Sequence, residues 1–193
     1  MRYSELVQNT PPIVLPTTET IVTYSSPIGE IYISEQPSLL VSNGTTGLRT
    51  WEASLLLAEW ILRQDIRGKN LVELGAGTGL VGILAARMGA EVTSTDGSEA
   101  VAMNLHANFD RNGAIGDVRV FRWGEDDEIL HRKWDLIVAA DVTYDDETCS
   151  SLAETYTLGL RRGGIGVLAA TVRNENTLKA FERECGNSVF WKC

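Results

Sequence analysis

Cysteine and histidine are scarce in this chain, and their spacing makes nothing of them. Cys149, Cys185 and Cys193 stand 36 and 8 residues apart, so they form neither a CxxC pair nor a metal knuckle. His106 and His131 are the only imidazoles, and a protein-built zinc site would need carboxylates that no motif supplies. An odd number of cysteines at such spacings points to a reducing compartment, with the cytoplasm as the expected location. No apolar run reaches the ~20 residues of a membrane span. Met1–Pro16 reads as too polar for a signal peptide. Basic residues are outnumbered, 17 against 26 acidic, for a formal charge of −9. That balance argues against holding nucleic acid by phosphate neutralisation and suits a basic macromolecular partner. Internal repeats and low-complexity tracts are absent as well, which excludes a solenoid and a disordered chain. What remains is 193 residues, 44% of them apolar, enough for one globular domain that needs no disulfide or metal staple.

Residues 1–50 read as an irregular Pro- and Thr-rich lead followed by a β ribbon. Two β-prone runs, Ile21–Tyr24 and Glu30–Ser34, flank a turn marked by Pro27 and Gly29. A loop containing "SNGTTG" leads to a helix that Thr50 can cap, with Trp51, Leu55, Ala58 and Leu62 on one face. From Lys69 the pattern changes to short apolar strands alternating with helices. The strands are "NLVEL", "AEVTSTD", "DVRVFRW", "DLIVAAD" and "IGVLAAT", and the helices span 80–88, 98–109, 147–160 and 175–185. Such alternation predicts an open, mostly parallel sheet covered on both faces, in the order 3-2-1-4-5 with "LVEL" at its centre. Ser188–Trp191 offers a sixth strand.

The densest signal is "LVELGAGTG" at 71–79, with Asp96 placed 21 residues beyond Gly75. Glycines after the first strand allow a ligand to approach the following helix N-terminus, and an acid ending the second strand can accept from both ribose hydroxyls. The glycine spacing selects the cofactor. A dinucleotide fingerprint, GxGxxG, would need glycine at position 80, where Leu80 stands. Glu73 ahead of the turn is also a poor neighbour for a pyrophosphate and a good one for an ammonium- or sulfonium-bearing ligand. S-adenosylmethionine meets both conditions. Asp141 ends the fourth strand, where open sheets bind ligands, and Tyr144 follows three residues later. Without further context Asp141 could equally cap a turn, Tyr144 could be a half-buried core aromatic, and Trp51 on its Leu-rich helix reads as packing.

"RTWEASLLLAEW", "LVELGAGTGL" with "VTSTD", and "DLIVAADVTY" together resemble the seven-strand protein-lysine methyltransferases. "SPIGEIYISEQPSLLVSNGTTGLRTWEASLLLAEW" and "TVRNENTLKAFE" extend the resemblance toward the elongation factor 2 lysine methyltransferases, over about residues 20–191. The resemblance implies a Rossmann-like class I α/β fold, with residues 51–193 as the S-adenosylmethionine-binding domain. It implies cofactor contacts from Trp51, Glu73, Gly75, Ala76, Gly77, Asp96, Trp123 and Ala140. It implies a substrate mouth formed by Asp141 and Tyr144, matching Asp-x-x-Tyr. Elongation factor 2 is the partner it suggests.

Two departures accompany the match. Relatives carry an additional N-terminal region, and they continue past Phe190–Cys193 into a closing hairpin, so the chain is expected to be truncated there, with 188–191 short or disordered. Arg122 also stands where relatives have an aspartate before the tryptophan. The alternatives are a lysine methyltransferase for another protein, or a truncated cofactor-binding module without activity. A nucleic-acid methyltransferase is disfavoured by the charge and by "DVTY", which replaces an Asn/Asp-Pro-Pro-aromatic motif. Arg173 and Asn174, after the fifth strand, could face the substrate or serve in a turn. Oligomeric state has no signature in the sequence.

Overall fold

The alternation of apolar strand runs with glycine turns and helices produces thirteen elements among the described residues of a computed structural model. It describes residues 19–36, 46–125, 128–143, 146–172, 179, 181, 183, 185 and 189–192. Strands β1 (Thr20–Ser26) and β2 (Gly29–Glu35) form an antiparallel ribbon in which Thr20 faces Glu35 and Ser26 faces Gly29. There follow α1 (Glu52–Ile61), β3 (Asn70–Leu74), α2 (Leu80–Arg87), β4 (Glu91–Asp96) and α3 (Glu99–Arg111). The second half comprises β5 (Asp117–Val120), α4 (Glu128–His131), β6 (Leu136–Ala140), α5 (Asp146–Leu160), β7 (Ile165–Ala170) and β8 (Val189–Lys192).

Strands β3 to β8 make one parallel sheet in the order β5-β4-β3-β6-β7-β8. The strand order reverses between β3 and β6, so ligands are expected beyond the carboxyl ends of these inner strands. The order matches the expectation from sequence, with β8 added as a sixth strand. The segment at 188–191 is expected to be short or disordered, and residues 189–192 form a short strand in which Val189 pairs with Val167 and Lys192 with Ala170. The flank of β7 otherwise presents unpaired backbone groups, and a short parallel strand satisfies them directly.

Side chains on the two faces of the sheet belong to separate cores. Leu71 and Val138 pack with the ribbon, α1, α2 and α3, while Val72, Leu74 and Ile137 pack with α5 and Trp134. The ribbon is part of the first core, since Ile31 and Ile33 are fully buried there. Asn108 on α3 pins it: its side chain accepts from the Ser34 N–H at 2.8 Å and donates to the Thr78 carbonyl at 2.9 Å. Arg87 grips the ribbon's turn through the carbonyls of Ile28 and Glu30 at 3.0 and 2.7 Å.

Helix α1 departs from expectation in two respects. Its buried side is Ala53, Leu57, Ala58 and Ile61, and Leu55 is 42% exposed. A segment as apolar as "ASLLLAEWI" has no strong period, so its packing against α2, β6 and β7 chooses the face. Its N-cap position is Trp51 without a side-chain cap bond, and the Thr50 hydroxyl instead meets that of Thr78 at 2.6 Å. The helix expected over 175–185 is described only at Lys179, Phe181, Arg183 and Cys185, all helical, and Arg173 and Asn174 fall outside the described residues. Among the described residues no helix is long and apolar enough to cross a membrane.

Candidate active site

At the carboxyl end of β3 the backbone leaves the sheet through Gly75 and Gly77, with φ of +67° and +55°. Side chains are excluded there twice over. A Cβ on Gly75 would sit 2.7 Å from Val142 and 3.2 Å from the Trp123 ring, and one on Gly77 would sit 3.2 Å from the Gly47 carbonyl oxygen. Three loops, carrying Gly47, Trp123 and Val142, therefore converge on one turn. The turn is pinned to β4 by the Ala76 N–H, which donates to the Thr95 carbonyl at 2.8 Å. A cavity of about 730 Å³ opens where they meet.

Trp51, Gly75, Ala76, Gly77, Asp96, Trp123, Ala140 and Asp141 all line this cavity. Asp96 ends β4, and its carboxylate accepts from the N–H groups of Gly77 at 3.2 Å and Ser98 at 3.1 Å. Burial lifts its pKa above the ordinary carboxylate value, and the amide hydrogen bonds pull in the opposite direction. Trp51 is held by its indole N–H, which donates to the Thr46 carbonyl at 3.0 Å, and by the Arg49 guanidinium 4.8 Å above the ring. Trp123 follows β5, and the next residue's N–H donates to the Thr155 hydroxyl on α5 at 3.1 Å.

Asp141 follows β6 and is the non-glycine residue with positive φ, +56°, among the described residues. Such a conformation costs ~1–3 kcal/mol and persists only where the surroundings enforce it. Both carboxylate oxygens are engaged by Thr171: Oδ1 accepts from its N–H at 2.8 Å and Oδ2 from its hydroxyl at 3.1 Å.

Of the two other residues singled out in the sequence, one lies outside the described residues and one does not line the cavity. Tyr144 lies outside the described residues. Glu73 does not line the cavity. It sits inside β3, on the face shared with Leu71 because strand side chains alternate, and so it points under α2 instead of out beyond the strand end. Its carboxylate accepts from the Ser94 hydroxyl at 2.8 Å. Burial pushes its pKa up to about 7, against the Ser94 and Gly82 hydrogen bonds, with a smaller upward push from Asp96. The signal for this was already present: an acid at a strand's last residue reaches the ligand, and one a residue earlier faces a helix. Conversely, Gly47, Arg49, Ser54, Val142 and Ser151 line the cavity without having been singled out. Only the glycines of "SNGTTG" hinted at a close approach.

The lining fits an adenosine cofactor without phosphates. It offers a ribose acceptor in Asp96, an aromatic wall in Trp123, and small residues at 75–77 where a chain can lie against the backbone. The described chain also matches a family model described as lysine methyltransferase over residues 35–183. The chain belongs to this family.

Its relatives include the protein-lysine N-methyltransferase EFM3 of Saccharomyces cerevisiae, 35% identical over 192 residues, covering 85% of this chain and 55% of that protein. EEF1A lysine methyltransferase 3 of Mus musculus is 38% identical over 140 residues, covering 70% and 60%. The chain thus spans about half the length of the first curated relatives it matches, at 55% and 53%. Among solved structures, the 16S rRNA methyltransferase RsmC of T. Thermophilus aligns with a TM-score of 0.65 at 22% identity, over 88% of this chain and 47% of that one. A SAM-dependent methyltransferase from Agrobacterium tumefaciens gives 0.62 at 16%, over 94% and 67%. These likenesses establish the class I methyltransferase fold, and S-adenosylmethionine is the cofactor of the family. The expected kinship with elongation factor 2 methyltransferases is overturned. Relatives whose names state a substrate, from Mus musculus and Xenopus tropicalis, are EEF1A lysine methyltransferases.

Proposed function

We propose that the protein methylates a lysine side chain of a folded protein, with elongation factor 1A as the substrate. The single observation that carries this reading is the pairing of Asp96 and Asp141 in one cavity, at the ends of the strands flanking β3. One end is suited to a cofactor's ribose and the other to an incoming amine. When bound, S-adenosylmethionine supplies a sulfonium-activated methyl carbon that a neutral amine can capture. Asp96 would accept from the ribose hydroxyls, the Gly75–Gly77 turn would hold the methionine portion, and Trp123 would lie by the adenine.

Asp141 does the work on the substrate side. Its carboxylate attracts and orients the lysine ammonium, and Tyr144, in the Asp-x-x-Tyr pattern, would wall the same channel. An amine held between Trp51, Ala140 and Val142 is poorly solvated, which disfavours its charged form, and its proton passes to solvent. Positioning and desolvation then carry the rate, without a dedicated general base. A cytoplasmic site of action belongs to the same reading, supported by three cysteines whose number and spacing make no disulfide framework.

Transfer of a tritiated methyl group into purified elongation factor 1A, and into an extract lacking the enzyme, tests the proposal. Label on a lysine of elongation factor 1A is the expected result. Label on another protein would overturn the substrate, and no label on any protein despite tight cofactor binding would overturn the activity.

A further inference from the structure

The turn at Asp141 contains a second residue with work to do, on the reading that Asp141 orients the amine. Ala140 faces Ala169 across the parallel ladder, and the Asp141 N–H donates to the Ala169 carbonyl at 2.9 Å. In a ladder that continued, the Thr171 N–H would donate next to the Asp141 carbonyl. It donates instead to the Asp141 side chain, because the +56° φ turns the main chain out of the ladder. The last rung between β6 and β7 is therefore a carboxylate oxygen in place of a backbone oxygen.

The terminal torsion of an aspartate is broad, so the plane of its carboxylate depends on what its oxygens accept. The Thr171 hydroxyl donates to the other oxygen at 3.1 Å, so this one residue engages both oxygens and sets that plane. Asp141 is 7% exposed and lines the cavity, so its carboxylate is presented there. We propose that Thr171 is a positioning residue: its hydroxyl fixes the plane of the Asp141 carboxylate, so that the carboxylate meets the substrate amine at the angle transfer requires. Misorientation by a fraction of an ångström is costly in such a step, and the loss falls on rate more than on cofactor affinity.

The test is single-turnover methyl transfer by Thr171→Val, Thr171→Ser and Asp141→Ala, with calorimetric binding of S-adenosylhomocysteine and a melting curve for each. Valine keeps the shape and the backbone N–H and removes only the hydroxyl. The expected result for Thr171→Val is a rate loss of about tenfold or more, with product affinity within about twofold of wild type. Thr171→Ser should recover the rate to within about threefold, and adding Thr171→Val to Asp141→Ala should cost nothing further, since the two act as one unit. A wild-type rate in Thr171→Val, beside a slow Asp141→Ala, would overturn the role of Thr171 alone. A wild-type rate in Asp141→Ala would overturn the reading of Asp141 and this proposal with it. A loss that serine does not restore, or full additivity of the two changes, would mark Thr171 as a structural residue and likewise overturn the proposal.

Discussion

Two aspartates terminate the strands on either side of β3, and they are held in opposite ways. Asp96 leaves β4 and is gripped by main-chain N–H groups, those of Gly77 and Ser98. Asp141 leaves β6 in a left-handed conformation, and Thr171 holds it through both its N–H and its hydroxyl. Amide donors come with the fold and survive most substitutions. A hydroxyl donor is a property of one side chain. On the proposed reading the cofactor end of the cavity is accordingly robust, and the substrate end is sensitive to the identity of its neighbours.

The largest expected effect separates the two ends by what each loses. Asp96→Ala removes acceptors for two ribose hydroxyls and should weaken cofactor binding by ~2–4 kcal/mol, about thirty-fold to a thousand-fold in Kd. Calorimetry checks it, and an unchanged Kd would place the ribose elsewhere. Next in size, Asp141→Ala should lower the rate at saturating cofactor by ~10²-fold while sparing cofactor affinity. If its Kd rose in step with the loss of rate, the division of labour between the two aspartates would collapse.

A third carboxylate sharpens the contrast, because Glu73 sits a residue inside its strand and reaches neither ligand. Its folded pKa of about 7 lies above the ordinary carboxylate value, so the native state binds the proton more tightly than the unfolded state. The stability this contributes is full below the unfolded pKa and fades as pH rises toward about 7. Denaturant melts of the wild type and Glu73→Gln across that range should differ by an amount that changes by on the order of 1–3 kcal/mol, with the wild type losing ground as pH rises. Parallel pH profiles for the two proteins would show that Glu73 is not held in its neutral form. The smallest effect tests the robustness of the Asp96 end. Ser98→Ala removes a side-chain cap on α3 but leaves the N–H that Asp96 uses. It should cost about 1 kcal/mol of stability and change cofactor affinity by less than about threefold. A large loss of affinity would mean that the Asp96 end also depends on side-chain identity.

The sheet order and the glycine turn were legible because each rests on local pattern. Apolar strands of four to six residues alternating with helices admit few topologies, and glycines followed by an acid at the next strand end mark a ligand crevice. Legibility failed where a residue's neighbour lies far away in sequence. Leu55 and Leu57 are indistinguishable by type, and contact with the sheet decides which is buried. Thr50 had the chemistry of a helix cap and found Thr78 instead. The substrate was misread for a related reason: the motifs shared across the family hold the cofactor, and they say little about which protein docks.

By itself the sequence determined the Rossmann-like layering, the crevice at β3 and the suitability of that crevice for a phosphate-free adenosine cofactor. Backbone geometry and strand parity act over a few residues, so they can be read one segment at a time. Only the tertiary structure decided that Glu73 takes the Ser94 hydroxyl, that the loop at Gly47 closes on Gly77, and that Thr171 takes hold of Asp141. Each of these contacts joins segments separated by about twenty to thirty residues, and the parallel sheet brings them together only after every strand has found its register.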